Sequence, residues 1–308
     1  MVKKILCLLL MCLSLIGCKE EDKSFNAKKV NQFENMNITF HYSEIVEKIY
    51  PTVAFNESYY YEPIKEEQNF LDFIMTVENK SKETLRLNNI LSANINVDGS
   101  QKVGDLLFET IDGTSLEKTL SLESNQKTKI HIYTSVSKKE EVEKIKMDLN
   151  VDGETYVLKT TFSNIQPIKT YKKEKDKITF SKEWEMTLEN LTTTKELKPS
   201  KPSGTYNYYT ASDDHIFVVL KTNIQNITKE SLPLKGMVGT VFYVNGVAYD
   251  SYCVMENEKH SNLSDDSTNS IGNNKTMTVY YFAEIPNVKE SDLIEVRLTN
   301  INEQFYMK

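Results

Sequence analysis

Apolar and polar residues alternate with a period of two along most of the chain, and this alternation is typical of β-strands with one buried face. The clearest runs cover residues 71–77, 145–151, 178–188 and 294–298. Between the runs lie dipeptides that provide the positive φ angles of tight hairpin turns: Asp98-Gly99, Asp112-Gly113, Asp152-Gly153 and Asn245-Gly246. The only helical candidates, residues 136–143 and 287–293, are short. The pattern therefore predicts a mainly antiparallel β protein.

An internal repeat divides the chain. The nine residues that begin at Asn79 match the nine that begin at Asn226, 147 positions later, with five identities and two exchanges between Ser and Thr. The same spacing relates Tyr59 to Tyr206 and Gly99 to Gly246, and small shifts near the ends indicate loop insertions. A single repeat of this length predicts two tandem domains rather than a solenoid of short units.

Each copy contains many short strands and no helical crossovers, which favours an antiparallel β-sandwich of the immunoglobulin-like type. The predicted boundaries are residues 35–165 for the first sandwich and 166–308 for the second. The lysine-rich segment 170–176 is the predicted joint, and residues 18–34, polar and mixed in charge, are predicted to form a flexible tether. Asn79 and Asn226 are interpreted as strand-ending turns in which the side chain accepts a backbone N–H.

In each copy an apolar strand ends in Asn-x-Ser/Thr and leads to a second apolar strand, across residues 70–87 and 216–234. This arrangement resembles the immunoglobulin-like domain of lipid-anchored surface proteins in Gram-positive bacteria. The resemblance implies a fold and a location, and it brings no catalytic residues. The chain lacks the paired core cysteines of antibody domains, so the sandwiches are expected to be free of disulfides.

The N-terminal segment has the features of an export signal. Lys3 and Lys4 precede an apolar run, residues 5–16, that is too short to span a bilayer. The run ends in Leu15-Ile16-Gly17-Cys18, which resembles the lipobox of bacterial lipoproteins. The resemblance implies that residues 1–17 are removed and that Cys18 is lipidated, which would anchor the protein to the extracytoplasmic face of the cell membrane.

Composition and charge narrow the classes of function. Of the 308 residues, 39% are hydrophobic, which is enough for ordinary cores and excludes wholesale disorder. Loss of residues 1–17 would change the formal charge from −7 to −9, and no basic stripe is present, so nucleic acid is disfavoured as a partner. Cys253 would be the only thiol left after lipidation, and its strand-like surroundings predict a small buried hydrophobe.

Two tyrosine clusters are the candidate binding residues, because tyrosine offers a large contact area and a hydroxyl group to a protein or glycan partner. They are Tyr59, Tyr60 and Tyr61 in the first copy and Tyr206, Tyr208 and Tyr209 in the second. A structural role on half-buried strands is the alternative interpretation.

Catalytic and metal-binding patterns are missing from the sequence. There is no phosphate-binding glycine loop, no Gly-x-Ser-x-Gly and no His-Glu-x-x-His, and the four histidines lack metal-ligand spacing. A polar loop could hold calcium weakly through Asp265, Asp266, Asn269, Asn273 and Asn274, although it lacks the EF-hand pattern. We therefore expect neither a cofactor nor a metal nor enzymatic activity.

Taken together, the sequence predicts a cell-envelope lipoprotein that acts as a binding or interaction module. Its expected partners are the membrane, through the lipid anchor, and an envelope protein or glycan. A structural spacer without a ligand, and a wall-active enzyme or foldase without a recognisable motif, are the alternatives.

Overall fold

The structure is a computed structural model that describes residues 23–27, 29–54, 60–180, 182–265, 269–289, 291–300 and 303–308. Cys18 and the rest of the predicted signal lie outside the described residues. The protein is all-β, and its strands group into two sandwiches, one in each half of the chain.

The first sandwich contains twelve strands, one helical turn, α1 (Leu87–Ile90), and a 3₁₀ turn (Phe162–Asn164). The strands are β1 (Lys23–Ser24), β2 (Val30–Gln32), β3 (Met36–Val46), β4 (Gln68–Asn79), β5 (Leu85–Arg86), β6 (Leu91–Val97), β7 (Ser100–Glu109), β8 (Leu116–Glu117), β9 (Ser121–Leu122), β10 (Lys127–Ser137), β11 (Lys144–Val151) and β12 (Glu154–Thr161).

The second sandwich contains the remaining strands among the described residues. They are β13 (Tyr171–Lys172), β14 (Lys177–Ile178), β15 (Trp184–Thr194), β16 (Glu196–Leu197), β17 (Tyr209–Thr210), β18 (His215–Asn226), β19 (Leu232–Pro233), β20 (Gly239–Val244), β21 (Val247–Tyr249), β22 (Tyr252–Glu256), β23 (Leu263–Asp265), β24 (Ser270–Ile271), β25 (Thr276–Pro286), β26 (Ile294–Thr299) and β27 (Gln304–Met307).

The two sandwiches share one strand order. In the first, hydrogen bonding runs β1-β12-β11-β6-β7-β10-β4-β3-β2, and in the second it runs β13-β27-β26-β20-β21 in one sheet and β14-β15-β18-β25-β22-β23 in the other. The four central strands of each layer follow the two-sheet order of the immunoglobulin fold. The predicted all-β fold of the sandwich type is confirmed.

Strand β7 passes from one layer of the first sandwich to the other. Its residues 100–104 pair with β6, and residues 105–108 pair with β10. Gly104 lies at the crossover, where a Cβ atom would lie 3.1 Å from Ala93 Cβ and 3.2 Å from Ile132 Cγ2, so that a side chain would crowd both layers. In the second sandwich the same path is divided between β21 and β22.

Three of the four predicted hairpin turns, and the cores, follow the sequence pattern; at the fourth, Gly113 has positive φ and Asp112 does not. Asp98-Gly99, Asp152-Gly153 and Asn245-Gly246 have positive φ at both residues, as type I′ turns require. Each half has its own large apolar core, and Cys253 is buried in that of the second sandwich. Among the described residues, no helix has the length and apolar character needed to cross a bilayer.

Three predicted features were wrong: the tether, the joint and the two short helices. Of the predicted tether, described residues 23–34 belong to the fold, because β1 pairs with β12, β2 pairs with β3, and Phe25 is buried. The joint is residues 166–170, since β13 already pairs with β27. Residues 136–137 complete β10, and the described residues of segments 138–143 and 287–293 form no helix.

Asn79 and Asn226 end β4 and β18 and share a set of four side-chain hydrogen bonds. Asn79 Oδ1 accepts the backbone N–H and the hydroxyl of Ser81, both at 2.8 Å, and its Nδ2 donates to the carbonyl oxygens of Glu83 and Leu122. Asn226 makes the same four bonds, to Thr228, Glu230 and Ile271, and its Nδ2 also donates to the carbonyl oxygen of Gly272 at 3.2 Å. Both side chains are fully buried, so the asparagines act as structural ties, as the sequence predicted.

Asn79→Ala is expected to lower the free energy of unfolding by about 2–4 kcal/mol, because buried carbonyl and N–H groups lose their partners. Urea unfolding, monitored by far-UV circular dichroism, measures this loss. Asn88→Ala is the control, since Asn88 is exposed and its side chain bonds only to Asn89. Equal free energies of unfolding for the two variants would contradict the stabilising role of the Asn79 side chain.

Candidate functional site

The two sandwiches meet through a polar junction. Tyr42 Oη donates to Gln304 Oε1 over 3.0 Å, and Tyr50 Oη donates to Asp250 Oδ1 over 2.5 Å. An ion pair also crosses the junction, in which Arg297 Nη1 lies 3.0 Å from Glu44 Oε1. These contacts join β3 and the loop that follows it to β26, to β27 and to the connection between β21 and β22.

Close backbone packing completes the junction. The loop of residues 52–54 in the first sandwich lies directly on Gly239, at the start of β20. A Cβ atom at Gly239 would lie 2.5 Å from the carbonyl oxygen of Thr52 and 2.6 Å from the nitrogen of Ala54. Thr299 also donates its hydroxyl proton to the carbonyl oxygen of Thr52. Glycine is therefore required where the two sandwiches touch.

A cavity of about 960 Å³ opens beside this junction and is called the junction cavity below. It is lined by one face of β3, by parts of β4, β7 and β10, by residues 163–168 at the joint, and by the end of the second sandwich. Its charged lining residues are Glu44, Lys48, Asp72, Glu109, Lys129, His131, Arg297 and Glu303.

A chain of buried charged groups forms one wall of the junction cavity. His131 Nδ1 lies 2.7 Å from Asp72 Oδ2, and His131 Nε2 lies 3.1 Å from Glu109 Oε1. Glu109 Oε1 also accepts the backbone N–H of Thr52 at 3.0 Å and its hydroxyl at 2.6 Å. Lys129 Nζ donates to the Thr52 hydroxyl over 2.9 Å. The chain therefore links the wall of the cavity to the loop that contacts the second sandwich.

His131 carries a proton at neutral pH. Burial alone would lower its pKa, but the carboxylates of Asp72 and Glu109 outweigh burial and raise the pKa to about 10. Burial, together with the nearby positive charge of Lys129, lowers the pKa of His41 at the cavity rim, so this second histidine is neutral at pH 7. The wall therefore holds an imidazolium between two carboxylates.

This ion pairing predicts a pH dependence of stability. The pKa of His131 is about 10 when folded, against an ordinary 6.5, so its stabilisation is complete below pH 6.5 and disappears as the pH rises through 10. The expected loss is on the order of several kcal/mol. Urea unfolding of the wild type at pH 6, 8 and 10 tests this, with an Asp72→Asn, Glu109→Gln double variant as the reference. Parallel pH profiles for the two proteins would contradict it.

The second sandwich repeats part of this wall. Glu256, the counterpart of Glu109, accepts the backbone N–H and hydroxyl of Ser200 at 2.5 and 2.7 Å and the Tyr280 hydroxyl at 2.9 Å. His260 Nδ1 lies 2.5 Å from the other carboxylate oxygen of Glu256, Oε2. In both sandwiches a buried carboxylate therefore fixes the loop that follows the first long strand. This shared arrangement, Glu109 with Thr52 and Glu256 with Ser200, is called the loop clamp.

Two positions distinguish the first sandwich from the second. The strand registers place Val219 where the first sandwich has Asp72, and Tyr280 where it has His131. The loop clamp is thus a structural feature of both copies, whereas the Asp72–His131 pair occurs in one copy and faces the junction cavity.

The first tyrosine cluster lies close to the junction. Tyr59 is outside the described residues. The ring of Tyr60 packs 5.5 Å from that of Tyr50, and Lys48 Nζ lies 3.9 Å from its centroid. Tyr61 forms a backbone bridge with Ile49 and packs on a small apolar cluster. Neither described tyrosine lines the junction cavity.

The second tyrosine cluster lies on the second sandwich. Tyr208 is 55% exposed and packs 6.1 Å from Tyr206, with Lys198 Nζ 5.9 Å from its ring. Tyr209 is half-buried in β17 and packs 5.4 Å from Phe282. Within the described parts of the chain, no ring contact joins this cluster to the first. The structure therefore does not gather the five described tyrosines of the two clusters into one site.

Other sequence candidates are dispersed. Asp266 of the proposed calcium loop is outside the described residues, and Asn269 bonds within the loop, to Ser264 and Asp265. Across the described ranges, no three His, Cys, Asp or Glu side chains are gathered in a way that could hold a metal ion. Sequence reasoning missed Asp72, Glu109 and His131 as site residues. The signal was Asp72 itself, a carboxylate within the apolar run of residues 70–75.

Comparisons with known proteins give similarity of fold only. No protein-family model matches the chain, and no curated protein matches it. A crystal structure of an uncharacterized β-sandwich protein from Clostridium difficile is similar to it, with 19% identity and a TM-score of 0.43 over 46% of this chain and 94% of the other. A conserved hypothetical protein from Bacillus anthracis gives 15% identity and a TM-score of 0.31 over 44% and 93%.

Proposed function

We propose that this protein is a lipid-anchored binding protein of the cell envelope and that its ligand occupies the junction cavity. The observation that carries the proposal is the buried Asp72–His131 pair, which lines the cavity in the first sandwich and is replaced by Val219 and Tyr280 in the second. A buried ion pair is a poor way to stabilise a fold, because desolvation offsets most of its attraction. Its presence in only one copy is therefore better explained by a binding role.

The size and composition of the cavity support the same proposal. A volume of about 960 Å³ lies within the range of small-molecule sites, which combine apolar walls with a few fixed polar groups. Ile49, Ile74 and Pro167 provide apolar lining, and the charged residues named above provide the polar groups. The loop clamp holds Thr52 and thereby keeps the cavity wall and the junction in register.

The proposed activity is binding rather than catalysis. Both ring nitrogens of His131 lie within hydrogen-bond distance of carboxylates, and its pKa of about 10 keeps the ring protonated. An imidazolium of this kind has no free lone pair with which to act as a base or a nucleophile. The acidic net charge of −7 likewise disfavours nucleic acid as the ligand.

Binding at the junction cavity is tested by filling it. Ser163 is exposed and lines the cavity, so Ser163→Trp should occupy the space without disturbing either core. Native mass spectrometry after incubation with small molecules extracted from cell envelopes should show a bound mass for the wild type that is lost in this variant. Ser100→Trp, at an exposed position outside the cavity, is the matched control. No bound mass, or the same mass in all three proteins, would contradict the proposal.

Membrane attachment through Cys18 is tested separately. Cys18→Ser is expected to abolish incorporation of labelled palmitate and to release the protein from membranes or leave it unprocessed, since two acyl chains are needed for stable anchoring. Cys12→Ser is the control, because Cys12 lies within the predicted signal. Normal processing and retention of the Cys18 variant would rule out the lipid anchor.

A further inference from the structure

Asp72 has an oxygen without a partner inside the protein. The residue is 2% exposed and lines the junction cavity. Oδ2 bonds to His131, whereas Oδ1 has no hydrogen-bond partner. A buried carboxylate oxygen normally accepts at least one hydrogen bond, because leaving it unpaired is costly. This oxygen therefore indicates a missing donor.

Arg297 has a complementary donor without a partner. It is 8% exposed, lines the same cavity from β26, and bonds to Glu44 through Nη1. Its Nε–H has no hydrogen-bond partner. Arg297 and Arg86 are the only arginines in a chain that otherwise uses lysine. A guanidinium at this position suits recognition of a carboxylate, whose planar geometry it matches.

The two unpaired atoms belong to residues that line the same cavity. Tyr42, which also lines the cavity, has a pKa raised first by burial and then by Glu44, while Arg297 acts to lower it and Asp72 to raise it. Both charges therefore lie close enough to Tyr42 to act on its hydroxyl group, and all three residues line the cavity. Neither atom is satisfied by the other.

The charges that line the cavity balance. The four carboxylates of Glu44, Asp72, Glu109 and Glu303 face four cations, namely Lys48, Lys129, Arg297 and protonated His131. A cavity of balanced charge favours a ligand without net charge over an anion or a cation. With one unpaired acceptor and one unpaired donor, the complementary ligand carries one charge of each sign.

Building on the proposed function, we propose that the junction cavity binds a small zwitterion, a free α-amino acid or a short peptide, with its ammonium group on Asp72 and its carboxylate on Arg297. The ammonium supplies the donor that Asp72 Oδ1 lacks, and the carboxylate supplies the acceptor that Arg297 Nε lacks. The apolar lining at Ile49 and Ile74 is available to a side chain.

Isothermal titration calorimetry of the wild-type protein with L-alanine, L-leucine and L-alanyl-L-alanine tests the ligand class. We expect at least one of them to bind, and the corresponding N-acetyl and amide derivatives, each lacking one charge, to bind at least about tenfold more weakly, since a hydrogen bond to a charged group contributes this much. Binding that is unaffected by both derivatives would overturn the proposal. So would the absence of heat with all three zwitterions.

Variants locate the ammonium contact. Asp72→Asn is expected to weaken binding of the zwitterion about tenfold or more, whereas Asp148→Asn, outside the cavity, leaves it unchanged. Equal affinity in both variants would overturn the assignment of Asp72. Suppose that no zwitterion binds, but that the wild type still shows a bound mass from the envelope extract and Ser163→Trp does not. The ligand class is then wrong, and the junction cavity is still the site. If neither a zwitterion nor a molecule from the envelope extract binds, the proposed function is wrong as well.

Discussion

Glu109→Ala is expected to lower the free energy of unfolding by about 3–5 kcal/mol, because removing one member of a buried charged network leaves the others unpaired. Glu109 is 2% exposed, and its carboxylate serves His131 and both polar groups of Thr52. The variant loses an ion pair inside the first sandwich and also releases the loop that contacts Gly239. Denaturant unfolding at pH 7 measures the effect.

Glu117→Ala is the control for this prediction, since Glu117 is exposed on β8 and its replacement should change stability by less than about 0.5 kcal/mol. Glu256→Ala should cost as much as Glu109→Ala, because the second loop clamp is built in the same way. A loss below about 1 kcal/mol for Glu109→Ala would show that the clamp does not hold the loop.

Gly239→Ala is expected to separate the two sandwiches locally. The added methyl group would lie 2.5–2.8 Å from backbone atoms of residues 52–54, which cannot move aside as a flexible side chain can. Overpacking of this kind costs about 1–3 kcal/mol or more, and here the cheapest relief is to open the junction. Amide hydrogen exchange should therefore become faster in residues 50–54 and 239–244, and binding in the junction cavity should be lost.

Gly272→Ala is the matched control, because its Cβ would meet only the flexible Lys275 side chain, at 3.4 Å. This variant should exchange like the wild type. An unchanged junction in Gly239→Ala would mean that the loop and β20 are not in the close contact described above.

Most of the fold could be predicted from the sequence because β-structure is encoded locally. The alternation at residues 145–151 and the turn at Asp152-Gly153 are enough to specify β11, β12 and their hairpin. The repeat then required that both halves share one strand order. The short edge strands β1 and β2 were missed because a two- or three-residue strand in a polar segment has no periodicity, and its partners lie far away in the sequence.

The candidate site could not be predicted in the same way. Asp72, Glu109 and His131 lie on β4, β7 and β10, which are separated by tens of residues and meet only through strand pairing. Asp72 occupies a position that the alternation of apolar and polar residues assigns to a solvent-facing side chain. In the folded protein this position is buried, at the cavity that the second sandwich helps to line. A tyrosine-rich segment is conspicuous in a sequence, whereas a single carboxylate is not.

The two copies differ in function-bearing residues and agree in framework residues. The ties at Asn79 and Asn226, and the loop clamps, occur in both copies and therefore belong to the fold. The Asp72–His131 pair occurs in one copy, on the wall that faces its neighbour. The two copies therefore share the asparagine ties and the loop clamps, and the first sandwich differs by the Asp72–His131 pair on one face.

Hydrogen–deuterium exchange of the full chain, with and without small molecules extracted from cell envelopes, tests the central claim that ligand binds between the sandwiches. We predict slower exchange in residues 42–52, 163–168, 297–300 and 303–304, which border the junction cavity from both sides. Slower exchange confined to residues 204–210, around the second tyrosine cluster, would contradict the account and favour the tyrosines as the binding surface.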